Sequence, residues 1–278
     1  MADRGGVRVA WWDDDAAERA ARLLRGYDPV KVSERLERLV EKGLERRYFR
    51  FRGSRFYGGS AVGDVVLCNL RCVFCWTGPA RDDPRIGFWV DPSAAGRRLL
   101  SIARSEGYRV LRLSAGEPTL GRRHLIALLD YLAARLAGEV FVLETNGILL
   151  ASDGRLLESL ERHRRFLHVR VSIKACNRWW FQLLTGASAD AFELQLRAVE
   201  ILEASSLSYS VAVFAAFGSD KCWAKLLDRL ASIMGASKLR DRIEVEAPVL
   251  YRHARRRLQG VSRLVRLEPR PEMTYPPA

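Results

Sequence analysis

What constrains this 278-residue chain most is an alternation of apolar runs and amphipathic stretches between about residues 64 and 247. Strand-like runs fall at 64–67, 109–114, 139–144, 166–173, 208–215 and 243–247. Helical periodicity fills the gaps, at about 92–106, 121–137, 153–163, 188–204 and 220–234. The punctuation agrees. Asp91 before Pro92 has the form of an N-cap with proline in the first turn, and Ser152 or Asp153 suits the start of the third helix. Gly107 and Gly138 stand where helices hand over to strands, as left-handed C-caps do. Strands joined through helices need crossovers, so the sheet is expected to be parallel and α/β in class. An open doubly wound sheet and a partial (β/α)6 barrel both fit, and either places chemistry at the carboxyl ends of the strands.

The flanks differ in character. Residues 14–47 have a helical pattern broken at Asp28-Pro29, and a basic-aromatic stretch follows through Tyr57. We therefore expect a helical, basic-aromatic extension over 1–57, a core over 58–250, and a basic, proline-rich tail over 251–278. The expected architecture is a TIM-like partial (β/α)6 barrel of parallel strands with that helical extension. The formal charge is +13, yet lysine occurs only at Lys31, Lys42, Lys174, Lys221, Lys225 and Lys238; the other basic residues are arginine. Such a bias follows from genome composition or a hot habitat as well as from nucleic-acid contact. Arg46, Arg47, Arg50, Arg52 and Arg55 interleave with aromatics, a combination that suits phosphate pairing and base stacking. RNA is accordingly an expected partner. No apolar run approaches the roughly 18–20 residues that span a bilayer, and the acidic start does not resemble a secretory signal. A cytoplasmic monomer without membrane contact is expected.

Five cysteines are an odd number, and Cys68, Cys72 and Cys75 are grouped directly after the first strand. A disulfide framework prefers even, dispersed cysteines, whereas clustered thiols are metal ligands. Structural zinc would want a fourth ligand at short spacing, but the next Cys or His is His124. Three thiolates from one loop suit an iron–sulfur cube with one iron left open. Cys176 and Cys222 lie on the same presumed face and are expected to be small buried residues. Trp179, Trp180 and Phe181 are expected to pack, and His124, His163 and His168 to be structural or solvated.

The motif Cys68-x3-Cys72-x2-Cys75, with Phe74 before the last cysteine, resembles the defining signature of the radical S-adenosylmethionine (SAM) superfamily. Ser114-Ala115-Gly116-Glu117-Pro118 resembles its Gly-Gly-Glu-Pro motif, with Ala115 in place of the first glycine. The resemblance implies one 4Fe–4S cluster, SAM as the ligand of its open iron, an external electron donor, and reductive cleavage of SAM to a 5′-deoxyadenosyl radical. It further implies that Phe74 packs near the adenine and that Glu117 accepts from the SAM amine, reached over Gly116. Thr145 or Asn146 would face the SAM pocket, and Ser172 and Lys174 would meet the ribose and carboxylate. The family's glycine-rich motif near the fifth strand is not recognisable, so Val213 and Ala247-Pro248 stand as adenine contacts. RNA or nucleotide modification is the expected reaction class. A protein-modifying activase is the first rival, and a zinc-binding nucleic-acid module without catalysis is the rival from another class.

Overall fold

The computed structural model describes residues 7–247, 249–259 and 265–273. Strand β1 (Val7–Ala10) leads into helices α1 (Asp14–Arg22) and α2 (Pro29–Val40). Asp13 and Asp28 cap them by accepting from the first-turn amides of Ala16 and of Val30 and Lys31. The helical reading then fails. β2 (Glu41–Lys42) and β3 (Glu45–Ser54) form an antiparallel hairpin, turned at Gly43 with φ +65°. Charged residues over 41–47 gave no period to prefer one state, and the glycine decides for a turn. The alternation of β3 is masked by a β-bulge between Tyr48 and Arg50, which puts Tyr48 and Phe51 on one face with rings stacked 4.8 Å apart.

β4 (Ser60–Val65), β5 (Phe88–Val90), α3 (Pro92–Glu106), β6 (Val110–Ala115), α4 (Arg122–Ala133) and β7 (Val140–Thr145) follow. Then come α5 (Ile148–Ser152), α6 (Gly154–Glu161), β8 (Leu167–Ile173), α7 (Arg178–Thr185), α8 (Phe192–Glu203) and β9 (Ser208–Phe214). The chain continues through α9 (Asp220–Met234), α10 (Ala236–Arg242), β10 (Ile243–Glu246), α11 (Arg252–Leu258) and β11 (Val265–Glu268). Asp91 caps α3 and Gly107 closes it at φ +70°, while Asp153, not Ser152, caps α6.

Among the described residues one sheet holds nine strands in the order β10-β9-β8-β7-β6-β4-β3-β2, with β5 on β3. β4, β6, β7, β8, β9 and β10 are mutually parallel and lie in chain order. A doubly wound sheet reverses direction at a switch point; this one has none. Residues of β3 and β10, on opposite flanks of the sheet, line a single cavity, so the sheet curves. The fold is the expected partial (β/α)6 barrel. Leu111, Leu113, Phe141, Leu143, Val169 and Val171 are fully buried beneath the helices, while the residues alternating with them face the lumen.

Two further corrections concern the ends and the remaining cysteines. The region expected to be a tail forms α11 and β11, and β11 pairs in parallel with β1. The prolines at 276 and 277 lie outside the described residues. Cys176 and Cys222, expected as separate thiols, are joined by a disulfide that ties the end of β8 to the start of α9. Sequence spacing cannot pair cysteines 46 positions apart. Such bonds persist in oxidising compartments and, inside cells, in hyperthermophiles. Trp180 and Phe181 are fully buried, as packing residues are.

Closing a loop of that length implies that Cys176→Ala/Cys222→Ala loses roughly 2–4 kcal/mol of stability. Thermal unfolding of the oxidised protein measures it, and an unchanged midpoint would count against a bridging role. His124 on α4 is wholly buried between Tyr48 Oη (2.8 Å) and the Leu44 carbonyl (2.7 Å). Burial lowers its pKa to about 4, with Arg46 adding in the same direction. The unfolded chain takes up this proton near pH 6.5, so stability falls as the pH drops from there toward 4, by roughly 3 kcal/mol in total. Denaturant midpoints between pH 4 and 7 should show this slope, and His124→Gln should flatten it.

Candidate functional site

β4 ends at Val65, and Leu67, with φ +65°, turns the chain into the cysteine loop. Left-handed backbone is costly for a leucine; the Leu67 amide is held by the Ala80 carbonyl at 2.9 Å. Each cysteine carbonyl accepts from an arginine: Arg71 on Cys68 (3.0 Å), Arg81 on Cys72 (2.6 Å) and Arg257 on Cys75 (3.0 Å). Arg257 and His253 belong to α11, and His253 Nε2 lies 2.8 Å from the Trp76 carbonyl. The basic C-terminal segment thus clasps the cysteine loop. Sequence gave no hint of this, because the partners are about 180 positions apart.

All three thiols border a cavity of about 710 Å³. Burial pushes the Cys72 thiol up to about 11 against the pull of Lys174, and burial together with Glu117 raises Cys68 further. Among the described residues, the set of three ligand atoms that gathers within 4.8 Å is Asp14, Cys176 and Cys222, whose sulfurs are already bonded to each other. No histidine and no fourth cysteine joins Cys68, Cys72 and Cys75 among the residues lining the cavity, whereas structural zinc takes four such ligands. That donor set fits a larger cluster better than a single zinc.

The second strand end crosses close beneath. Ala115 has φ +78°, the left-handed region in which glycine is at ease, so this alanine is strained. Gly116 passes so near β4 that a Cβ would meet the Leu67 carbonyl at 2.2 Å. Glu117 is 1% exposed, and its Oε1 accepts from Thr119 N (3.1 Å), Thr119 Oγ1 (2.7 Å) and Thr145 Oγ1 (2.8 Å). Its Oε2 accepts from Asn146 N at 2.9 Å. The carboxylate therefore knots the second and third strand ends together, with acceptor capacity left on Oε2. Asn146 Nδ2 reaches Asn69 Oδ1 at 2.7 Å and the Cys68 sulfur at 3.7 Å.

Ser172 and Lys174 end the fourth strand and also line the cavity. Gln195, from α8, donates to the Asn146 and Ser172 carbonyls and accepts from Lys174 N (3.0 Å). The Lys174 ammonium makes no hydrogen bond among the described residues. Its charge and that of Arg170 outweigh burial at Glu246 and hold that carboxyl below its ordinary range. Phe74 stacks on Phe214, centroids 3.5 Å apart. Phe214, not the expected Val213, lines the cavity, because alternation turns Val213 away; Ala247 lines it too, and Pro248 lies outside the described residues.

The floor of the cavity is charged. Asp64 pairs with Arg50 and Arg52, Arg112 with Glu144, and Arg170 with Glu244 and Glu246. The arginine run expected to form one RNA-guiding patch is dispersed, because a strand sends successive side chains to opposite faces. Arg46 is fully buried and donates to the Glu117 carbonyl at 2.9 Å, while Arg47 lies over Trp89. Arg50 and Arg52 enter the lumen, and Arg55 is left exposed.

The profile of the radical SAM superfamily matches residues 65–227, more than half of the chain. No curated protein matches it in sequence. In fold it is similar to Streptococcus suis SuiB bound to S-adenosylmethionine, at 18% identity and TM-score 0.50, over 67% of this chain and 40% of that one. It is also similar to anSMEcpe with bound AdoMet and Cp18Cys peptide, at 18% identity and TM-score 0.42, over 66% of this chain and 49% of that one. The chain spans less than half the length of either protein.

An amide at position 117 would point a donor at donors. Glu117→Gln should therefore lose roughly 1–3 kcal/mol of stability, read by urea unfolding of the cluster-free protein. No loss would mean that the knot between strand ends contributes little.

Proposed function

Because the chain belongs to the radical SAM superfamily, we propose that Cys68, Cys72 and Cys75 hold one 4Fe–4S cluster and that the adjoining cavity binds SAM. When bound and reduced by an external donor, the cluster supplies the electron that breaks the S–C5′ bond of SAM. The convergence of the first four parallel strand ends on one cavity carries this reading. Around it, the residues of this chain bind and orient. Glu117 Oε2 accepts from the SAM amine where Gly116 lets the backbone come close. Lys174 pairs with the carboxylate as a point charge. Ser172 faces the ribose, Thr145 and Asn146 fix the wall opposite, and Phe74 with Phe214 supports the adenine.

A nucleotide or RNA substrate is the second part of the reading. Its support is that Arg50 and Arg52 enter the cavity beside Trp76, whose ring is 5.6 Å and 5.7 Å from their guanidinium carbons. An RNA would have to deliver one nucleotide into the lumen, since the run from Arg46 to Arg55 is divided among interior, outer face and lumen.

Anaerobic incubation of the reconstituted protein with SAM and dithionite should release 5′-deoxyadenosine and methionine, detected by mass spectrometry. Replacing Cys68, Cys72 and Cys75 together by Ala should abolish both products and the brown absorption. Iron retained in that variant would overturn the ligand assignment.

A further inference from the structure

We propose that Arg50 and Arg52 form an oxyanion subsite in the barrel lumen that holds a phosphate or carboxylate group of the substrate. The inference rests on the cavity being the reaction chamber and names the chemistry of what enters it. Among the arginines of the lumen, charge matching singles the pair out. Arg112 faces one carboxylate, Glu144, and Arg170 faces two, Glu244 and Glu246. Arg50 and Arg52 instead share a single one, the fully buried Asp64. One positive charge is left over on that wall.

The donors are also free. Arg50 uses Nε on Asp64 Oδ2; Arg52 uses Nε on the same oxygen (2.8 Å) and Nη2 on Oδ1 (3.3 Å). Arg50 Nη1 and Nη2 and Arg52 Nη1 make no hydrogen bond among the described residues. Guanidinium forks are matched to planar or tetrahedral oxyanions, and a pair held side by side can engage two oxygens of one group. Their placement is fixed in advance by the register of β3, in which Arg50 sits opposite Asp64 and Arg52 opposite Val62. A buried carboxylate needs one arginine to be neutralised. A second, with 45% of its side chain exposed to the cavity, adds repulsion unless an anion arrives. Trp76, one residue past Cys75, lies beside both arginines, so a group carried by the anion would extend along this ring toward the cysteine loop.

The test is anaerobic calorimetric titration of the cluster-reconstituted full chain in chloride buffer of fixed ionic strength, with inorganic phosphate in one arm and acetate in the other. At least one anion should bind at a single site, and Arg50→Gln and Arg52→Gln should each weaken that binding by about tenfold or more. Which anion binds tells a phosphorylated substrate from a carboxylic one. Arg52→Gln strips two of the three bonds to Asp64, so if it fails to fold, Arg50→Gln decides, with the cluster absorption reporting an intact protein. Binding of neither anion, or equal binding by wild type and Arg50→Gln, overturns the subsite. The outcomes are separable from the SAM reading: cleavage of SAM without anion binding removes the subsite alone, and arginine-dependent binding without cleavage removes the cofactor reading alone.

Discussion

The four hydrogen bonds converging on the Glu117 carboxylate are the interaction on which the rest of this site depends. Parallel strand ends carry unpaired backbone groups, and each such group needs a partner when buried. The Glu117 carboxylate accepts from the amides of Thr119 and Asn146 and from two threonine hydroxyls, while Arg46 donates to its backbone carbonyl from behind. Two buried Arg46 nitrogens, Nε and Nη1, have no hydrogen-bond partner among the described residues. The arrangement tolerates that cost because the arginine also approaches the Val66 carbonyl at 3.4 Å, bridging the cysteine loop and the Gly-Glu-Pro loop.

The barrel, and the grouping of three cysteines on the loop that follows a strand, were legible because their signals are local. Periodicity marked the strands, caps marked α3, and Cys68, Cys72 and Cys75 stand within one loop. What escaped depended on partners far apart in the chain. The arginine run suggested a surface because its residues are charged. As a strand with a bulge at Tyr48/Arg50, it divides them among the interior, the outer face and the lumen. The disulfide, the clasp of Arg257 on Cys75 and the bracing of two strand ends by Gln195 join residues that no window of sequence compares.

Closed eight-stranded α/β barrels fill their interior with branched apolar side chains. Here the lumen carries alternating arginines and carboxylates, and ion pairs of this kind add little net stability after desolvation. The fold instead draws its stability from the apolar layer between strands and helices, where Leu111, Phe141 and Val169 are fully buried. The lumen is thereby released from packing duty and can be shaped by the requirements of a polar ligand.

The pairing of β1 with β11 bears on how such a chain reaches its native state during synthesis. β1 comprises Val7–Ala10 and its sheet partner comprises Val265–Glu268, so the earliest described strand waits for nearly the last. The units between them pair with neighbours close in sequence and can condense as they leave the ribosome. Among the described strands, β1 is thus made long before the partner that completes it, and until the two pair, Val9, fully buried in the finished protein, lacks part of its cover.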